Sequence, residues 1–165
     1  MSKVIIIAEA GVNHNGSLGL AKQLAKEARD CGADYIKYQT FITEKTISRD
    51  AKKAKYQTLS TDKEQNQFDM VKKLELKFDD FIELKKYCET IGIGFLSSAF
   101  DIESLDFLKE LNLDYYKIAS GEITNKLILE KISSFNKPIL LSTGMSTEEE
   151  ISAALNILSK ETSRE

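Results

Sequence analysis

Five short apolar runs alternate with stretches of helical periodicity, and this alternation constrains the fold more than any other feature of the chain. The runs cover residues 4–8, 35–41, 93–100, 115–120 and 139–144. They have strand length and are rich in β-branched or aromatic residues. After the first run, Leu18, Ala21, Leu24, Ala25 and Ala28 recur at helical spacing up to Gly32, a glycine suited to close a helix. Before the third, Phe81, Leu84, Tyr87, Cys88 and Ile91 do the same and stop at Gly92. Asp101 is placed to cap a helix carrying Leu105, Phe107, Leu108 and Leu111. Leu127, Ile128, Leu129 and Ile132 form the next apolar face. Ser146 or Thr147, followed by Glu149 or Glu150, has the form of a capping box for a last helix through about Leu158. Strand and helix in this order require parallel strands with right-handed crossovers.

A doubly wound open sheet and a (β/α)8 barrel both satisfy that rule. Polar residues favour the barrel. They collect at the C-terminal end of every run: Glu9, Lys37 and Gln39, Ser97 and Ser98, Lys117 and Ser120, Ser142 and Thr143. A barrel gathers all of these at one mouth, where barrel enzymes place their active sites. The expected fold is therefore α/β, a parallel barrel of TIM type. Only its first five βα units are present, so residues 1–165 make an incomplete barrel with exposed sheet edges. The first run, continuous and apolar, is expected to be buried on both faces.

Two of the polar residues are costly. In residues 35–41, Tyr35, Lys37 and Gln39 share one face, and Ile36, Tyr38 and Thr40 the other. A lysine in the middle of such a strand must snorkel, pair with a carboxylate or hold an anionic ligand. Lys117 repeats the pattern in Tyr115-Tyr116-Lys117-Ile118-Ala119-Ser120. Either the two lysines share a cationic pocket or each forms a structural ion pair, Glu9 being available to neutralise Lys37. Both readings stand at this level.

Residues 42–75 form a polar excursion, loop over 45–55 with a short helix within 65–74. Long excursions after a strand often serve as lids or binding loops. Lys52-Lys53-Ala54-Lys55 reads as a solvated part of it. A net charge of -3 with both signs interspersed leaves no footprint for nucleic acid. The apolar run at residues 4–8 is too short for a signal peptide or a membrane span, so a cytoplasmic protein with no membrane partner is expected. Cys31 and Cys88 lie in helical patterns and are expected to be buried free thiols. No glycine pattern forms a dinucleotide or P-loop fingerprint. His14, alone in a turn, is read as a surface or structural residue.

Motifs along nearly the whole chain add a more specific reading. They are Ile7-Ala8-Glu9-Ala10-Gly11-Val12-Asn13-His14-Asn15-Gly16, Gly32-Ala33-Asp34-Tyr35-Ile36-Lys37-Tyr38-Gln39-Thr40-Phe41 and Leu96-Ser97-Ser98-Ala99-Phe100-Asp101. Tyr116-Lys117-Ile118-Ala119-Ser120-Gly121-Glu122 and Lys137-Pro138-Ile139-Leu140-Leu141-Ser142-Thr143-Gly144-Met145 follow, with Lys73-Leu74-Glu75-Leu76 in the excursion. Together they resemble the sialic acid synthase family, which condenses phosphoenolpyruvate with an N-acetylated hexose to a nine-carbon sugar acid and phosphate. Legionaminate synthases are the close variant.

The resemblance implies roles by position. Lys37 and Lys117 correspond to the phosphoenolpyruvate-binding lysines, with Ser98, Ser120 and Ser142 as hydroxyl partners. Glu9, Gln39 and Glu122 correspond to residues facing the sugar, and Glu122 is a candidate for proton transfer on it. Ser98 stands where threonine is common and Ala99 where proline is common; the hydroxyl is kept. The family uses a divalent metal, Mn2+ or Mg2+, to polarise the sugar aldehyde. Its histidine ligands come from later strands, so no metal ligand is expected in this chain. A C-terminal half-barrel and an antifreeze-like domain complete such enzymes, which are expected to be homodimers. The chain then represents the N-terminal part, expected to be inactive alone. The alternative is a non-catalytic truncated homologue that binds an anion or pairs with another chain.

Overall fold

The computed structural model describes residues 4–51 and 66–162. Strand and helix alternate as expected: β1 (Ile7–Gly11), α1 (Leu18–Asp30), β2 (Tyr35–Thr40), α2 (Thr43–Thr46), α3 (Gln67–Lys72), α4 (Phe78–Ile91), β3 (Gly94–Ala99), α5 (Ile102–Glu110), β4 (Tyr116–Ile118), α6 (Lys126–Ser133), β5 (Ile139–Leu141) and α7 (Glu148–Thr162). A one-turn 3-10 helix, Ser120–Glu122, follows β4. The stretch Lys52-Lys53-Ala54-Lys55 lies outside the described residues.

Local chemistry sets most boundaries. Ser17 accepts the Leu20 N–H and opens α1, and Asp101 accepts the Ser104 N–H at 2.7 Å and opens α5. Gly92 closes α4 at φ 75, a left-handed conformation that glycine adopts without a Cβ penalty. Thr147 and Glu150 form a reciprocal capping box for α7, at 2.8 and 3.2 Å. That helix runs four residues past the expected stop at Leu158, to Thr162.

The strands pair in parallel as β1-β2-β3 and, separately, β4-β5. Among the described residues no ladder joins β3 to its neighbour β4, so the expected single sheet is two sheets side by side. Tyr35 spans the gap. Its hydroxyl donates to Asp114 at 3.0 Å, and its ring meets Tyr115 edge-on at 5.6 Å. Gly94, opposite Tyr35 in the ladder, leaves room for that ring; a Cβ there would sit 2.1 Å from it. Burial and the Asp114 hydrogen bond push the Tyr35 hydroxyl up to about 12.

β2 carries the alternation read from the sequence: Ile36, Tyr38 and Thr40 are buried, while Tyr35, Lys37 and Gln39 are only half-buried. The buried face packs on α1, where Ala21, Ala25 and Ala28 let the helix approach, and Tyr38 donates to the Ala21 carbonyl at 2.8 Å. Phe78 and Phe107 stack at 4.2 Å and join α4 to α5 within the same core.

The first strand differs from expectation. It begins at Ile7, and Val4 and Ile6 are 79% and 57% exposed. Among the described residues β1 pairs with β2 alone, so the run before it is not covered on both faces. The Asp34 carboxylate holds the Ile6 N–H at 2.9 Å, and the Ile6 carbonyl accepts from Asp34 and Tyr35. Cys31 is also corrected: it sits one residue past α1 and is exposed. Cys88 is buried as expected, and burial pushes its thiol up to about 12. Among the described residues, no helix is long and apolar enough to cross a membrane.

Candidate active site

The ladder registers build one polar face. Glu9 pairs with Lys37, Lys37 with Leu96, and Gln39 with Ser98, so Glu9, Lys37, Gln39 and Ser98 share one side of the first sheet. The Lys37 ammonium lies 2.7 and 3.0 Å from the Glu9 carboxylate oxygens. The lysine side chain is 12% exposed and the glutamate 54%, so the pair sits at the surface on its acid side. The ion-pair reading of Lys37 is thus realised in geometry. Gly11 keeps this corner open: a Cβ there would meet Glu9 Oε1 at 3.3 Å and Gln39 Nε2 at 3.6 Å.

The second sheet offers a different lysine. Lys117 donates to Ser142 Oγ at 2.7 Å and to the Ile118 carbonyl, and among the described residues its hydrogen bonds involve no carboxylate. Its ammonium is held below the ordinary lysine range. Burial is the main cause, and the Lys37 charge adds to it against the opposing pull of Glu9. The two lysines therefore feel one another across the gap between the sheets. Ser142 lies just beyond β5 rather than in it, and its N–H is fixed by the Ile118 carbonyl at 3.1 Å. Ser120 lies in the 3-10 turn, its Oγ beside Gly144, where an added Cβ would sit 3.6 Å away.

Ser98 is 1% exposed, and among the described residues its Oγ has no hydrogen-bond partner. A buried hydroxyl left so is costly. Ser97, on the opposite face, shares a 2.7 Å hydrogen bond with Thr40. The contrast separates the two serines: Ser97 is tied into the core and Ser98 is not.

Beside this face a cleft of about 520 Å³ opens. Gln39, Thr46 and Glu122 supply its polar lining, and Phe41, Ile47, Met70, Val71, Leu74 and Phe100 most of its apolar lining. Glu122 accepts from the Asn125 amide at 2.8 Å. The α2 and α3 residues of this wall were not legible as site residues in the sequence. Their signals were the length of the excursion itself and Met70, Val71 and Leu74 at helical spacing inside it.

The wall is clamped. Consecutive backbone N–H groups, of Ile42 and Thr43, donate to the carboxylates of Asp101 and Glu75, each at 2.8 Å. The Thr43 hydroxyl also donates to Glu75, and Lys72 bridges Glu75 and Glu44 at 2.8 and 3.0 Å. Burial pulls the Glu75 carboxyl upward, but Lys72 and Thr43 outweigh it and hold it below the ordinary range. Gly16, at φ 73, approaches the Lys73 carbonyl so closely that a Cβ would lie 2.3 Å from it. These contacts order α2, whose last two residues fall within the loop expected over 45–55.

His14 is fully buried, which excludes the surface alternative and agrees with the structural one. Its Nδ1 accepts the Gly16 N–H at 3.1 Å, and its ring lies 6.2 Å from that of Tyr38. Burial lowers its pKa. Among the described residues no group of three or more histidine, cysteine or acidic side chains is placed to hold a metal ion. The residues described here do not by themselves fit the divalent metal that the resemblance implies.

The NeuB family profile matches residues 24–165. The chain belongs to the NeuB family. It is 52% identical over 160 residues to the N,N'-diacetyllegionaminic acid synthase of Campylobacter jejuni, covering 97% of this chain and 48% of that protein. The N,N'-diacetyllegionaminic acid synthase of Legionella pneumophila is 42% identical over 151 residues, covering 92% of this chain and 42% of that one. The crystal structure of an N-acetylneuraminic acid synthetase from Leptospira borgpetersenii, in complex with citrate, superposes with a TM-score of 0.82 at 33% identity. It covers 98% of this chain and 52% of that one. The chain thus spans about half the length of the relatives it matches.

Proposed function

We propose that the strand ends of this chain form part of the active site of a sialic-acid-type synthase that joins phosphoenolpyruvate to an N-acetylated hexose. In this reading the chain supplies the first five units of a TIM-type barrel. The observation that carries it is the pair of lysines on facing sheet ends, one of them partly desolvated and, among the described residues, bound to neutral oxygen groups alone. Two ammonium groups beside small hydroxyls suit the phosphate and carboxylate of phosphoenolpyruvate.

Lys117, with Ser120 and Ser142, holds one anionic group, and Lys37 with Ser98 the other. Glu9, Gln39 and Glu122 orient the sugar. The π electrons of phosphoenolpyruvate form a bond from C3 to the aldehyde carbon, and the aldehyde oxygen takes up a proton. Water adds to the cationic C2 and gives up a proton; the resulting C2 hydroxyl then becomes the C2 carbonyl as the C2–O bond to phosphate breaks, its proton leaving with the phosphate. In this reading Glu122 is the candidate to move a proton at the sugar oxygen, and the lysines stabilise negative charge as it redistributes over the phosphate. A divalent metal bound by residues outside this chain would supply polarisation of the aldehyde.

The test is amide-resolved NMR of the 165-residue chain titrated with phosphoenolpyruvate. Saturable shifts centred on residues 37, 98, 117, 120 and 142 are expected. Shifts elsewhere, or none, would overturn the reading.

A further inference from the structure

We propose that His14 is an acid-sensitive positioning residue: when neutral, its ring locks the β1–α1 turn on which the α3 arm rests, and when protonated it releases that arm from the cleft. The inference goes beyond the anion site and does not rest on it.

The lock is one acceptor. His14 Nδ1 takes the Gly16 N–H at 3.1 Å, so the ring is neutral and carries its proton on Nε2. The turn needs that support. Asn15 and Gly16 stand side by side at φ 49 and 73, and a left-handed asparagine beside a left-handed glycine persists where its surroundings fix it. Gly16 in turn seats the arm. A Cβ on it would lie 2.3 Å from the Lys73 carbonyl, and Met70, Val71 and Leu74 of the same arm wall the cleft. Rotation of the Gly16 peptide therefore displaces the Lys73 carbonyl, and the α3 wall with it.

A proton on Nδ1 would set two donors face to face. The surroundings give the resulting cation no compensation. His14 is fully buried, and among the described residues its Nε2 has no hydrogen-bond partner. Tyr38 faces the ring from β2, but its hydroxyl is donated to the Ala21 carbonyl. Glu9, on the strand that leads into the turn, is paired with Lys37, and Lys22 of α1 with Glu83 of α4. From the arm, Glu75 is bound to Lys72 and Thr43, while Lys73 meets the turn with its carbonyl and is itself exposed. Burial accordingly lowers the His14 pKa from its ordinary 6.5. The closed turn thus binds fewer protons than an open one once the pH falls through 6.5. Opening then gains up to about tenfold per pH unit, until the closed ring titrates as well.

The test is amide hydrogen exchange by NMR on the 165-residue chain between pH 7.5 and pH 5, corrected for the intrinsic pH dependence of exchange. Protection at Gly16 and at Leu74, whose N–H is bound to the Val71 carbonyl, should fall together below pH 6.5 by up to about tenfold per unit. Protection at Leu105, in α5, should stay level. His14 is the one histidine of the chain, and its ring nitrogen resonances should show a neutral ring at pH 7.5 that titrates in step with the loss. His14→Asn, which keeps an acceptor near the Nδ1 position and cannot take up the proton, should hold the arm at every pH tested. Level protection at Gly16 and Leu74 in the parent chain would overturn the proposal. So would a loss shared equally by Leu105, which would make His14 a support of the whole fold, and so would a slope that persists in folded His14→Asn. If that variant does not fold, the ring resonances of the parent chain decide: a ring that stays neutral while Leu74 loses protection would overturn the latch.

Discussion

Lys37 and Lys117 occupy matching places on the two sheets, yet the chain treats them differently. Lys37 at the β1–β2 end is neutralised by Glu9 within 3.0 Å. Lys117 at the β4–β5 end is bound to a hydroxyl and a carbonyl and is held below the usual lysine range. A lysine bound to a carboxylate already has its charge balanced. One bound to neutral oxygens in a desolvated site gains most from an incoming anion. For the anion site proposed above, the difference predicts an asymmetry, with Lys117 as the anchor and Lys37 as a partner shared with Glu9.

That asymmetry can be broken or sharpened by substitution. The largest effect is expected from Lys117→Met, which should weaken phosphoenolpyruvate binding by about 3 kcal/mol, the upper end for a charge-assisted hydrogen bond. Calorimetry showing a smaller loss there than at Lys37 would reverse the assignment. Lys37→Met should cost about 1.5 kcal/mol in the same titration. The pH dependence comes next. The folded chain holds Lys117 below its ordinary value, so the unfolded chain binds more protons between the two and stability rises with pH through that window. A bound anion reverses the preference. Phosphoenolpyruvate affinity should therefore start to fall below pH 10.5 as Lys117 loses its proton, and binding at such pH should take up protons, measurable in buffers of different ionisation enthalpy. An affinity flat up to the ordinary lysine range would count against a desolvated anchor. The smallest effect has the opposite sign. Glu9→Gln frees Lys37 from a half-exposed ion pair and should tighten phosphoenolpyruvate binding by roughly 0.2–1 kcal/mol. A loss would mean that Glu9 orients Lys37 rather than competing for it.

Much of this site was legible because strand alternation is strict. The two-residue period placed Lys37 and Gln39 on one face of β2, and each motif lysine sits on a strand in the structure. Strand limits were less legible. Apolar character continues from Ile7 back to Val4, but only pairing with β2 decides where β1 starts. Ser142 was read at the end of a strand and lies in the loop after it, where its bond to Lys117 is made. The excursion was hardest to read. α2 has four residues and its hydrogen bonds to Asp101 and Glu75 reach 59 and 32 positions along the chain, so no local pattern announces it. The apolar wall on α3 followed from that unseen clamp. Cys31 was misplaced by a single residue, the difference between the last turn of α1 and its cap.

The central claim is that both lysines meet one anion, and a double-mutant cycle on phosphoenolpyruvate affinity tests it most directly. The set is the parent chain, Lys37→Met, Lys117→Met and the double variant, titrated under one condition. One shared anion predicts that the double variant loses less than the sum of the single losses, with a coupling of about 1 kcal/mol or more. Losses that add within about 0.5 kcal/mol would mean that the lysines act on separate ligands, and the shared pocket would be wrong.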